Sequence, residues 1–216
     1  YKPALPLLAQ QCGEAIAKIH NTPLANLQFL PKKSPIQLIE DLYKLYESYQ
    51  QPSPVFEYAY RWLKEQDYGD FKESLVHGDF RLDNMVFNKD SLEVKAILDW
   101  ELSTLGSPIA DFTYHMMAWR LPVGAKGLGI LGANLKDLSI PSEEEYAELY
   151  YKKTGRNKIE KWNFFMAYNI FRLAGITQGI AGRVRDGTAA SSEARNYGDF
   201  VPILGKLGWD IVENIK

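Results

Sequence analysis

The sequence predicts a mainly α-helical protein carrying a small β-hairpin element, an α+β chain rather than a purely helical bundle. Three observations predict it. Hydrophobic residues make up 46% of the 216 residues and charged residues 24%, the balance of a chain that buries a core. Apolar residues recur at three- and four-residue steps over most of the length, the spacing of one helix face. After Gly69 the period shortens, and three brief runs take on strand character before helical spacing returns.

The elements follow in order. Leu8, Cys12, Ala15, Ile16 and Ile19 predict an amphipathic helix ending near His20–Asn21. The stretch 22–35, with prolines at 23, 31 and 35, reads as a loop. Ile36, Ile39, Leu42, Tyr43 and Tyr46 form a second helical stripe. Beyond Pro52 and Pro54, residues Val55, Phe56, Ala59, Trp62 and Leu63 form a third. Residues 74–77, 84–87 and 94–98 read as strands. The last two are joined by Asn88-Lys89-Asp90-Ser91, a turn-rich link that predicts a hairpin. Helical spacing resumes over 109–120, and a Gly-rich loop spans 124–132. Pro141-Ser142 before Glu143, Glu144 and Glu145 marks a helix start with acids suitably placed in its first turn. Residues 162–185 and 200–215 predict two further helices, and no internal repeat interrupts the pattern.

Composition excludes several function classes. Twenty-five basic against 27 acidic residues leave a net charge of −2, so no overall field favours nucleic acid or an anionic membrane surface. Thirteen tyrosines and five tryptophans fall at helical core spacing without interleaved basic residues, which argues for packing over base stacking. No uncharged apolar run approaches the roughly 18 residues of a membrane helix. The single cysteine, Cys12, cannot form an internal disulfide and suits a reducing compartment, so the expected setting is cytoplasmic. The expectation is one soluble domain over 1–216. Because the chain starts at Tyr1 within a few residues of a helical pattern, it is expected to be a piece of a longer polypeptide.

Chemistry-bearing residues concentrate in the segment 74–111. His77-Gly78-Asp79-Phe80-Arg81-Leu82-Asp83-Asn84 puts Asp79 at a strand end and Asn84 at the start of the next strand. Asp99 ends the strand after that. A hairpin and its return are expected to bring Asp79, Asn84 and Asp99 to one edge. Such a set suits phosphoryl transfer: one carboxylate accepts the proton of an attacking hydroxyl, while a second carboxylate and an amide oxygen hold Mg²⁺ against the phosphates. The spacing His-x-Asp-x-x-x-x-Asn, followed by a strand-terminal Asp, matches the catalytic half of the protein-kinase signature.

The run from Leu75 to Asn84, with Leu98-Asp99-Trp100-Glu101-Leu102-Ser103-Thr104-Leu105-Gly106, resembles the aminoglycoside-phosphotransferase/choline-kinase-like superfamily. It is closest to the kinase-like domains fused to, or found beside, acyl-CoA dehydrogenases. The likeness continues through Trp162-Asn163-Phe164 and Phe171-Arg172 to Gln178-Gly179. It implies the helical C-terminal lobe of a protein-kinase-like fold, with ATP and Mg²⁺ as cofactors. Asp79 would be the catalytic base, Asn84 and Asp99 the metal ligands, His77 a brace for the catalytic loop, and Asp111 a residue holding that loop. Family members often carry Asp where this chain has Ser107.

A kinase of this fold also needs a Gly-rich strand-turn-strand over the phosphates and a strand lysine, both earlier than the catalytic Asp. Before Asp79 the sequence reads as helices and proline loops, with no lysine-bearing strand, so the N-terminal nucleotide lobe is expected to be absent from this chain. Gly127-Leu128-Gly129-Ile130-Leu131-Gly132 satisfies G-x-G-x-x-G as a string, but it follows no strand and lies after Asp79, which makes it a surface loop.

Weaker candidates surround this set. Two roles are open to Arg81: contact with an anionic substrate or phosphate, and a salt bridge to Asp83. Glu101 would share the face of Asp99 if both sat in a strand; assisting the metal and hydrogen-bonding the loop are both open to it, the second being favoured, and it is also a substrate-pocket candidate. Arg172 and Gln178 are candidates for an acceptor-pocket wall, whereas Arg183 and Arg185 read as a solvated helix face. His20 and His115 lack paired ligand spacing, which argues against zinc.

The expected function is an ATP/Mg-dependent small-molecule phosphotransferase acting on a substrate hydroxyl, with a hydroxyacyl compound suggested by the resemblance. The chain alone is expected to be nearly inactive. Its expected partners are the missing lobe and an acyl-CoA dehydrogenase domain, and self-association through uncovered apolar surface is also expected. The alternative is a catalytically silent, kinase-like docking module.

Overall fold

A computed structural model describes residues 4–48, 54–123, 129–188 and 200–214. In chain order the elements are α1 (Leu5–His20), β1 (Lys32–Lys33), α2 (Pro35–Ser48), α3 (Pro54–Glu65), β2 (Ser74–Val76), β3 (Met85–Phe87), β4 (Val94–Ile97) and β5 (Thr104–Gly106). They continue with α4 (Pro108–Met116), α5 (Leu135–Leu138), α6 (Glu143–Thr154), α7 (Trp162–Arg185) and α8 (Phe200–Glu213). Two compact units emerge, each built from two stretches of chain: Tyr1–Lys33 with Phe71–Glu160, and Ser34–Asp70 with Lys161–Lys216.

The first unit holds all the strands. The expected hairpin forms from β3 and β4, antiparallel with Met85 opposite Ile97 and a register irregularity between Val86 and Phe87. A second sheet was not expected. It has the order β1-β5-β2, with β5 antiparallel to β2 and parallel to β1. The stretch 22–35 is therefore not wholly loop, and a strand carrying lysine does precede Asp79. That strand is only two residues long, too short to register as an alternating pattern. Lys32 is exposed and ion-pairs with Glu73 at 3.2 Å.

Around these strands α1, α4 and α6 close a core of Ile16, Phe80, Leu105, Phe112, Met116, Tyr146 and Tyr150, all within 1% of full burial. Phe112 stacks on Tyr150 with centroids 3.9 Å apart. Pro108 opens α4, where its missing N–H costs nothing. Ser107 caps that helix by position, without a side-chain capping bond. At the start of α6, Ser142 and Glu145 form a reciprocal capping box, as the acid-rich helix start foreshadows.

The second unit is helical. Its core stacks Tyr46 on Phe56 at 4.1 Å and sets Phe56 against Phe171 at 4.0 Å. Gly175 of α7 allows this approach: a Cβ there would stand 3.0 Å from Leu42 and 3.1 Å from Phe56. Between α3, α7 and α8 lies an apolar cavity of about 220 Å³, walled by residues such as Ala59, Trp62, Ile170, Ala174 and Trp209. Arg183 and Arg185 are exposed as expected, and Arg185 pairs with Asp186. Among the described residues no helix is long and apolar enough to cross a membrane. Residues 124–128, including Gly127 of the G-x-G-x-x-G string, lie outside the described residues.

Candidate functional site

The site begins where β2 ends. After Val76 the chain turns through Gly78, whose φ of +86° suits glycine alone. A Cβ there would also lie 2.7 Å from the Leu102 carbonyl oxygen. The turn is pinned from below by Asp111 on α4, which is 2% exposed. Its Oδ2 accepts the His77 N–H at 2.8 Å and its Oδ1 accepts the Gly78 N–H at 3.0 Å. Oδ2 also accepts from Nε2 of His20 at 3.2 Å, and Nδ1 of His20 accepts from the Tyr150 hydroxyl at 2.7 Å. Burial pushes the Asp111 carboxyl up, but the hydrogen bond from His20 and those from the two backbone N–H groups outweigh it and hold it below its ordinary value. Burial lowers His20 in spite of its acidic neighbour. A neutral His20 with its proton on Nε2 satisfies both of its partners.

His77 ties the loop to the following strand. Its Nδ1 accepts the Asp79 N–H at 3.1 Å, which leaves the ring proton on Nε2 to be donated to the Leu98 carbonyl at 2.9 Å. The Leu98 N–H in turn donates to the Asn84 carbonyl at 2.8 Å. One backbone residue, Leu98, thus links His77, Asn84 and the adjoining Asp99. The Trp100 ring lies 4.7 Å from that of His77, and its Nε1 donates to the Ile97 carbonyl.

Asp79 is half-buried and held by both oxygens. Its Oδ1 accepts from the Tyr114 hydroxyl at 2.6 Å, and its Oδ2 accepts from Nδ2 of Asn84 at 2.9 Å. The same Nδ2 donates to the Asp79 carbonyl. Among the described residues the Asn84 Oδ1 accepts no hydrogen bond, and the exposed Asp99 carboxylate makes neither a hydrogen bond nor an ion pair. Asp99 adopts φ 63°, a left-handed conformation in which Asp is among the better-tolerated residues. One amide oxygen and one carboxylate with no protein partner fit a hard divalent cation such as Mg²⁺. No group of three His, Cys, Asp or Glu side chains able to hold a metal occurs among the described residues. The donors therefore fit an ion that completes its shell with phosphate and water, not one enclosed by protein.

Of the weaker candidates, Arg81 pairs with Asp83, the structural one of its two readings, while lying within the charge field of Tyr114 and Asp79. Glu101 does not sit in a strand: residues 100–102 form a 3-10 turn, so the expected shared face with Asp99 does not exist, and Glu101 is exposed. Arg172 and Gln178 belong to α7 of the other unit, where Gln178 is buried and Arg172 half-buried.

Four residues of the site escaped the sequence reading: Tyr114, His115, His20 and Tyr150. Tyr114 and His115 follow Asp111 by three and four residues, so phasing α4 on Asp111 would have found them. His20 reaches Asp111 from 91 residues earlier in the chain, and Tyr150 joins the group through His20. No local pattern signals such pairs.

The family model described as "Phosphotransferase enzyme family" matches residues 1–149. Acyl-CoA dehydrogenase family member 10 of Mus musculus is 41% identical over 158 residues, which are 73% of this chain and 15% of that protein. Acyl-CoA dehydrogenase family member 11 of Homo sapiens is 36% identical over 160 residues, 73% of this chain and 20% of that protein. The chain thus spans a fifth or less of the length of these curated relatives. A crystal structure from Ralstonia eutropha, provisionally described as an aminoglycoside phosphotransferase, superposes with a TM-score of 0.91 at 35% identity, covering 100% of this chain and 68% of that one.

Proposed function

Because this chain belongs to the phosphotransferase enzyme family and folds as the helical C-lobe of a kinase-like protein, we propose that it carries the catalytic loop of an ATP- and Mg²⁺-dependent small-molecule kinase. The observation that carries this reading is the Asp79 carboxylate, fixed on both oxygens by Asn84 and Tyr114, together with an Asn84 amide oxygen and an Asp99 carboxylate that have no partner among the described residues. In the proposed reaction Asp79 receives the proton of a substrate hydroxyl as that oxygen bonds to the γ-phosphorus and the bond to ADP breaks. Each Asp79 oxygen keeps a lone pair for this, since each accepts only one side-chain bond. Asn84 and Asp99 would hold the magnesium ion, which when bound offsets charge on the phosphates. His77 and Asp111 keep the loop in register, and Arg81, at the edge of the site, supports it.

The acceptor is proposed to be a small-molecule alcohol of the hydroxyacyl class. The names of the curated relatives support this choice, as they do an acyl-CoA dehydrogenase domain as partner; a cytoplasmic setting is proposed on the single cysteine alone. Glu101 is proposed as a substrate-pocket residue of the loop-bearing unit, and Arg172 and Gln178, in the helical unit, are separate pocket candidates of that unit. Among the described residues no Gly-rich strand-turn-strand precedes Asp79, so the reading takes the nucleotide lobe to come from outside the 216 residues and expects them to be nearly inactive alone. Leu82, Val86, Leu98, Trp100 and Leu102 are each at least 39% exposed. This apolar edge beside the site supports a covering lobe, or self-association when none is present.

Titration with ATP, with and without Mg²⁺, followed by tryptophan fluorescence tests the reading, because Trp100 adjoins Asp99. Magnesium-dependent quenching that disappears in Asp99→Asn is expected. Quenching that persists unchanged in Asp99→Asn would remove Asp99 from the metal site.

A further inference from the structure

One face of α4 meets four consecutive loop residues. Asp111 takes the N–H groups of His77 and Gly78. Tyr114, three residues on, places its hydroxyl 2.6 Å from Oδ1 of Asp79. His115, four residues on, sets its ring edge-on to Phe80 with centroids 5.3 Å apart and hydrogen-bonds the Phe80 backbone. Helical spacing of i, i+3 and i+4 is thereby matched to loop positions 77 through 80 in order.

We propose that Tyr114 is a positioning residue that fixes the orientation of the Asp79 carboxylate for proton acceptance; this rests on the phosphotransferase reading above. Rotation of an aspartate carboxylate about its last torsion is broad and weakly restrained. An O–H donated to an ionised carboxylate is short and charge-assisted, so it restrains that torsion strongly. Tyr114 suits the task because its ring is buried at 8% exposure on a helix and brings little rotamer freedom of its own. Asn84 holds only the other oxygen, Oδ2, from the opposite end of the loop. Without the phenol, Oδ1 loses its hydrogen-bond donor among the described residues, and the carboxylate is free to turn about the Asn84 bond. Tyr114 donates its proton to Asp79, so it acts through that residue and does not itself take the substrate proton.

The test is a double-mutant cycle of Tyr114→Phe and Asp79→Asn in the natural polypeptide that carries these residues, read as ATP turnover with water as the acceptor. Tyr114→Phe is expected to lower kcat about 10- to 100-fold, the size of effect that misorientation of a reacting group produces. KM for ATP should stay unchanged, and the second substitution should cause no further loss in the Asp79→Asn background. A merely structural tyrosine would lower the unfolding temperature and leave the rate per folded molecule alone. If the wild type is active and Tyr114→Phe turns over within twofold of it, the positioning role is overturned by itself. An additive loss on top of Asp79→Asn overturns it as well. A wild type no faster than Asp79→Asn overturns the phosphotransferase reading, and the positioning role falls with it.

Discussion

At the scale of single residues, the base of the loop is electrostatically unusual because two imidazoles are buried next to a carboxylate. Burial lowers His115 from 6.5 to about 4, against the opposing pull of Asp111 and the Phe80 backbone. The folded protein therefore refuses a proton that the unfolded chain accepts between these values, so stability is full above about 6.5 and falls as pH drops toward 4. His20, also lowered by burial, acts in the same direction. Thermal unfolding followed from pH 7 to pH 4 should show a falling midpoint, and His115→Gln should flatten that fall; an unchanged slope would mean that His115 is accessible to protons in the folded state. Much of the site at this scale was legible: His77, Asp79, Asn84 and Asp111 were all singled out, and the structure brings these four together. What a spacing pattern cannot carry is a partner supplied from a distant helix. His20 and Tyr150 were passed over for that reason, and Glu101 was misjudged because its local backbone turns instead of extending.

At the scale of elements, the longer helices were readable because each carries a repeating apolar stripe, and the residues proposed for the stripes of α1, α2 and α3 lie within helices of nearly the expected bounds; α5, of four residues, was not expected because a single turn carries no repeat. The strands β1 and β5, of two and three residues, offer no such repeat. They form because β5 finds backbone partners on both sides, which is a property of the tertiary structure and not of the segment. In the helical unit, α8 approaches its neighbours closely at Gly205 and Gly208, where a Cβ would lie 2.9 Å from Val55 and 3.3 Å from Ile170. The cavity of about 220 Å³ beside these contacts leaves wall atoms without packing partners. Ala59→Leu, which adds three carbons from the α3 wall, should raise stability by ~0.5–2 kcal/mol, as cavity filling commonly does. Chemical denaturation measures this, and a loss of stability would show that the wall cannot accommodate the added carbons.

At the scale of the whole molecule, the loop proposed as catalytic lies within one unit and does not by itself make a kinase, since much of a kinase's rate comes from holding the phosphoryl donor in line. On the proposed reading, the purified 216-residue chain should hydrolyse ATP far more slowly than the roughly 1–100 s⁻¹ of kinases. A coupled ADP-release assay decides this, and kinase-like turnover by these residues alone would refute the need for a further lobe. The order of segments along the chain has one more consequence. The unit bearing the loop is complete once Glu160 has been reached, whereas α2 and α3, made much earlier, belong with α7 and α8, which come last. During vectorial synthesis the loop-bearing unit can fold on the ribosome while the apolar stripes of α2 and α3 wait, unmatched, until α7 and α8 have been made. Within that interval the stripes of α2 and α3 are open to a chaperone, and a stop codon after Glu160 would leave the loop-bearing unit formed while α2 and α3 stayed permanently orphaned.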